Sequence, residues 1–223
     1  KNATTSRLST RRLVLIALIT AVTCILAPFA VPIPVSPVPI SLTNLVLLIS
    51  VYILGWKDAA ISYFVYLLLG AVGLPVFSGF AGGLGKIAGP TGGYLLGFIF
   101  MTILAGIFVE RFSDKRFIIV IGMVLATFIA YAFGTAWLAL QMETTFAAAL
   151  SIGVFPYLPG DAVKIILAVI IGPILKARLQ YLSDKQAETF IPSNVSACFI
   201  PASNEPSGHA CMRIWRLPRG SNT

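Results

Sequence analysis

The sequence predicts an all-α membrane protein. Six transmembrane helices form a bundle with both termini in the cytoplasm, and Pro-rich and Gly-rich external loops close a ligand pocket. Three observations predict it. First, 57% of the 223 residues are hydrophobic and only 11% are charged, with a mean hydropathy of +0.91, whereas a soluble domain carries about a quarter of its residues charged. Second, apolar runs of about 20 residues recur, the length a helix needs to cross a bilayer, and the short alternating strands of a membrane barrel are not seen in the sequence. Third, the charges are sorted. With six helices and both ends inside, 14 of the 16 basic residues fall on the cytoplasmic side, as the positive-inside rule requires. The formal net charge of +8 would suggest nucleic acid on a soluble protein; placed this way it sets orientation, and no nucleic-acid partner is expected. The two remaining cations, Lys86 and Lys164, fall at the external end, where orientation does not explain them.

Residues 1–11 are polar and basic and form a cytoplasmic tail. The first helix runs from Arg12 to about Val31; it is long for a signal peptide and ends in prolines instead of a cleavage site. Ala17 and Ala21, four apart, give it a small-residue face suited to close packing, either within the chain or on another subunit. Val31 to Ser41 holds Pro32, Pro34, Pro37 and Pro39, which forbids helix and favours extended backbone. An uncharged stretch of this kind folds back as a lid or plug over a cavity. The second helix spans Leu42–Leu54, Gly55-Trp56-Lys57-Asp58 turns the chain, and the third helix spans Ala59–Leu74. The fourth runs from about Gly92 to Val109, the charged loop from Glu110 to Arg116, and the fifth helix from Phe117 to Leu140. A partly amphipathic connection, Gln141–Leu158, leads to the sixth helix, which opens at Pro159-Gly160-Asp161 and ends near Leu175. The transmembrane substrate-binding domain is thus residues 12–181. Residues 182–223 turn polar without apolar period and are expected to be a disordered tail. Its Cys198, Cys211 and His209 match no zinc spacing, and no metal is expected.

The segment Gly79–Gly97 holds eight of the 19 glycines. Such density lets a ligand approach backbone N–H and C=O groups closely; a hinge between helices is the plainer alternative. Phe80, Lys86 and Tyr94 among the glycines make it chemically richer than a hinge needs, so it is read as a binding-site wall. Gly89, Gly93 and Gly97 recur every four residues and offer a stripe against which another helix or a ligand can press.

Asp161 and Lys164 are three apart, on one face of the sixth helix's first turn. Ionisable groups in membrane segments are costly and face a cavity or a partner. They form either a mutual ion pair or a polar ligand clamp in which Asp161 accepts N–H groups and Lys164 donates to a carbonyl or carboxylate. The helix N-terminus favours an anionic ligand group. Lys86 is a second candidate for a carboxylate, and Tyr94 offers a ring wall and a hydroxyl. Enzyme chemistry finds no catalytic set: the membrane segments carry no His, and HExxH is absent. Around Lys86 the glycines also miss the nucleotide-loop pattern, since Phe80 stands where its first Gly belongs and Ile87 where Ser or Thr belongs. Any pumping energy therefore comes from a partner.

Four motifs carry a resemblance over roughly residues 12–180: Pro34-Val35-Ser36-Pro37-Val38-Pro39-Ile40, Gly73-Leu74-Pro75-Val76-Phe77, Gly89-Pro90-Thr91-Gly92-Gly93-Tyr94-Leu95 and Pro159-Gly160-Asp161-Ala162-Val163-Lys164. On these the chain resembles the BioY family, the biotin-specific S components of energy-coupling-factor (ECF) transporters of bacterial-type plasma membranes. The resemblance implies a six-helix bundle with an external biotin pocket. It implies that Asp161 and Lys164 contact biotin together with the loop around Gly79 to Gly93 (Phe80, Gly82, Thr91, Gly92 and Gly93), while Lys86 and Tyr94 are candidates on their chemistry alone. It further implies docking on a transmembrane scaffold (T) subunit through Ala17 and Ala21, energy from two ATPase (A) subunits, bodily reorientation in the lipid bilayer, and no cofactor beyond the transported biotin. An S component for another vitamin and a self-contained facilitator are the alternatives.

Overall fold

The structure is a computed structural model that describes residues 10–34, 36–113 and 115–190. The chain divides into two units, Lys1–Ala177 and Arg178–Thr223. The first is mostly helical, in the order α1 (Thr10–Leu26), β1 (Ala30–Ile33), β2 (Ser36–Ser41), α2 (Thr43–Ala71), α3 (Leu84–Ala88), α4 (Gly92–Arg111), α5 (Arg116–Gln141), α6 (Phe146–Gly153) and the start of α7 (Leu158–Phe190). Among the described residues, four helices are long and apolar enough to cross a bilayer: α2, α4, α5 and the Leu158–Leu182 part of α7.

Helix α1 stops earlier than the apolar run does. Pro28 has no N–H to continue the ladder and biases Ala27 away from helix. The proline stretch is extended, as its composition dictates, but it is also paired: β1 and β2 form an antiparallel hairpin with Ala30 opposite Ser41 and Val31 opposite Ile40.

Helix α2 merges the two helices expected on either side of Gly55. That glycine sits at φ 78, ψ 174, a conformation outside the helix that only glycine adopts freely. Thr43 and Tyr66 line one cavity, although a straight helix would set them about 35 Å apart, so the chain reverses at Gly55. The expected four-residue turn is compressed to this one residue, with Trp56, Lys57 and Asp58 already helical. The Glu110 carboxylate at the end of α4 accepts the Trp56 N–H at 3.0 Å. Asp58 is buried and receives both Arg12 Nε (2.8 Å) and Arg12 Nη2 (2.6 Å), which clips the start of α1 to this end of α2. Farther along, the Thr20 and Ser62 hydroxyls meet at 2.9 Å.

Helix α4 packs between α2 and α5, with Met101, Ala105, Met123 and Ala126 fully buried in the core. Two glycines of the four-residue stripe, Gly93 and Gly97, press against a helix. A Cβ on Gly93 would lie 2.2 Å from Trp137 Cβ, and one on Gly97 would lie 3.0 Å from Ala130 Cα. These glycines let α5 approach closely enough to bury that seam.

The connection after α5 contains the short helix α6. Helix α7 runs well past Leu175, with Pro173 inside it. The apolar pattern ends there, but residues 176–190 are rich in Lys, Ala, Arg, Leu, Gln and Glu, which favour helix. The second unit accordingly continues α7 to Phe190, with the Lys185 ammonium 6.0 Å from the Tyr181 ring centre. The expected disordered tail is thus helical over residues 182–190. Its remainder, 191–223, with Cys198, His209 and Cys211, lies outside the described residues, as do residues 1–9.

Candidate ligand-binding site

At the end of the first unit opposite the Arg12–Asp58 clip, the hairpin runs into the first turn of α2. Together with the starts of α4 and α7, the middle of α5 and the end of α6, it walls a cavity of about 660 Å³, its mouth included. Apolar walls come from Val38, Ile40, Leu95 and Phe98.

The polar side is built on α7. Asp161 and Lys164 are 7% and 8% exposed and form an ion pair with Lys164 Nζ 2.8 Å from Asp161 Oδ1. A buried pair endures only when its remaining lone pairs and protons are also satisfied. Here the same Oδ1 accepts Asn44 Nδ2 at 2.9 Å, Oδ2 accepts the Tyr131 hydroxyl at 2.5 Å, and Lys164 Nζ also donates to the Ser41 carbonyl at 2.9 Å. Three helices and the hairpin thus converge on one carboxylate–ammonium pair. Asp161 also stands in the first turn of α7, where a helix favours negative charge.

Tyr157 donates its hydroxyl to the Val38 carbonyl, a second tie between the hairpin and the α7 entry. Burial pushes the Tyr157 phenol above its ordinary range; the Ser36 hydroxyl pulls it down and Asp161 pushes it up. The hydroxyl therefore keeps its proton and donates.

Two polar atoms at this cavity are buried with no hydrogen-bond partner among the described residues: Asn44 Oδ1 and Thr91 Oγ1. Buried polar groups are ordinarily paired, so both mark places where a polar ligand can bond.

The residues singled out from sequence divide cleanly. Asp161, Lys164, Thr91 and Tyr94 all line the cavity. Tyr94 gives it a ring wall, while its hydroxyl donates to the Gly153 carbonyl at 3.0 Å. The ring fits because its neighbours are glycines: a Cβ on Gly134 would lie 2.2 Å from Tyr94 Cδ1. The other five lie off the lining. Gly92 and Gly93 are buried in helix packing, and a Cβ on Gly92 would meet the Ile87 carbonyl at 1.6 Å. Gly82 packs on backbone, 2.3 Å from the Leu74 carbonyl by the same measure. Phe80 is 61% exposed and stacks edge-on with Phe29 at 5.5 Å. Lys86 lies in the middle of α3, half-buried. The glycine loop therefore walls the cavity only through its last part. Ala17 and Ala21 lie on the exposed face of α1, while Ile16, Ile19, Thr20 and Thr23 are its buried side.

Sequence reasoning missed Asn44, Tyr131 and Tyr157. Asn44 left a signal, an amide at the start of an otherwise apolar run. Tyr131 and Tyr157 left none, since tyrosines are ordinary in and around membrane helices.

Comparison with known proteins adds the following. A family model described as BioY family matches residues 2–181. The "Biotin transporter BioY" of Rhizobium etli is 36% identical over 190 residues, covering 77% of this chain and all of that one. The protein of the same name from Thermotoga maritima is 36% identical over 146 residues, 66% of this chain and 85% of the other. A crystal structure of the S-component for biotin from an ECF-type ABC transporter superposes with a TM-score of 0.72 at 31% identity, covering 78% of this chain and 95% of that one.

Proposed function

The chain belongs to the BioY family, and from that premise we propose that it captures biotin in the cavity at the start of α7 and serves as the S component of an ECF-type transporter. The observation that carries this reading is the buried Asp161–Lys164 pair, set beside two unpaired polar atoms in a largely apolar cavity. Biotin has the matching chemistry: an apolar bicycle, a ureido group with two N–H donors and a carbonyl, and a carboxylate on a flexible chain. Lys164 has a third N–H beyond those given to Asp161 and Ser41. It is the cation for a ligand carbonyl or carboxylate, and Asp161 holds it in place.

In this reading the six spans are α1, the two arms of α2 on either side of Gly55, α4, α5 and α7, and residues 12–181 form the substrate-binding domain. Both ends lie in the cytoplasm and the hairpin faces outward, because Arg12, Lys57, Arg111, Lys115, Arg116 and Lys176 then share the inner side. A scaffold subunit docks on the exposed Ala17/Ala21 face of α1, and two ATPase subunits supply the energy.

The test is biotin binding to the detergent-purified chain alone, with Asp161→Asn beside it. Tight binding by the wild type, lost in the variant, is the expected outcome. Well-folded wild-type protein that binds no biotin would overturn the reading.

A further inference from the structure

The amide of Asn44 is not free to choose its orientation. Its neighbour Asp161 Oδ1 already takes an ammonium proton from Lys164 at 2.8 Å, so it faces Asn44 as an acceptor. Asn44 must turn its NH₂ toward it, as it does at 2.9 Å. The other end of the amide, Oδ1, is then an acceptor by necessity, and it is left buried without a partner among the described residues at a residue lining the cavity. Asn44 itself is only 5% exposed. A buried carbonyl-type oxygen of this kind welcomes an N–H and is left unpaired by any ligand that lacks one; sites built in this way reject such analogues strongly.

We infer that Asn44 is a specificity residue whose amide, poled by Asp161, presents an acceptor that selects ligands carrying a ring N–H. This rests on the proposal that biotin is the ligand, and it assigns to Asn44 Oδ1 a ureido N–H. Selectivity is thus set at one remove: the charge on Asp161 decides which end of the Asn44 amide the ligand meets. Replacing Asp161 by asparagine would let the Asn44 amide point either way, so that change costs selectivity as well as affinity.

The test compares biotin with biotin methylated on its ureido nitrogens, by equilibrium binding to the purified full chain. Wild type should favour biotin by about tenfold or more, and Asn44→Leu, of similar size without the polar end, should bind the two within about twofold of each other. Folding of the variant is followed by thermal unfolding in the same detergent. If the variant does not fold, the wild-type comparison alone decides: equal binding of biotin and its methylated form overturns the inference. Wild-type preference retained undiminished in a folded Asn44→Leu also overturns it, while leaving the biotin reading intact. Wild-type protein that binds neither compound removes the biotin reading, and this inference with it.

Discussion

Two lysines are candidates for the ligand's carboxylate, and of the two it is Lys164 that lines the cavity. Lys164 is buried on the cavity wall with one N–H uncommitted among the described residues, whereas Lys86 sits within α3, off the lining. Lys164→Ala removes the ligand's cation and leaves Asp161 without its counter-charge, which should weaken biotin binding by about 2–5 kcal/mol. Lys86→Ala should leave affinity within about twofold of wild type. Titration calorimetry on the two variants reads this directly, and the reverse ranking would move the carboxylate to the glycine loop. The Asp161–Lys164 pair was legible because three-residue spacing at a helix start puts both groups on one face. Its partners were not, because Asn44 and Tyr131 come from positions 117 and 30 residues away in the chain. Sequence spacing says nothing about contacts of that range.

The elements were legible to the extent that each followed from a local rule. Apolar length gave α4 and α5 within two residues of their ends, and proline gave the extended run. What escaped was pairing and continuation. Nothing local states that Val31 meets Ile40, and nothing in an apolar count marks a helix that continues into polar sequence, as α7 does. The glycines show the same division. Their spacing at 89, 93 and 97 announces close approach, but only the fold tells that α5 is what approaches. Gly97→Leu must therefore push Ala130 and Phe133 away and should destabilise the bundle by about 1–3 kcal/mol. A fall in thermal unfolding temperature, with the protein still monodisperse, checks this. An unchanged transition would show that the seam has room that the packing denies.

At the scale of the whole molecule, α1 is the exposed limb. Among the described residues it packs against α2, held by Arg12 on Asp58 and Thr20 on Ser62, and it leaves Ala17, Leu18 and Ala21 outward. Ala17→Trp should abolish co-purification of the scaffold subunit while leaving biotin affinity of the isolated chain unchanged, since α1 contributes nothing to the cavity lining. Retention of the scaffold by a folded Ala17→Trp variant would place docking elsewhere. The start and the bend of α2 give this arrangement a thermodynamic consequence. Its first turn carries Asn44, against the ligand cavity; just past its reversal it carries Asp58, which grips α1. A ligand and a docked subunit would then pull on one folded-back rod, the first at its start and the second at its bend. Whatever free energy docking spends on shifting that rod must reappear, equal in size, as a change in biotin's affinity, and loading with biotin must alter docking by the same factor. Cargo capture and subunit exchange would then be two readings of one equilibrium.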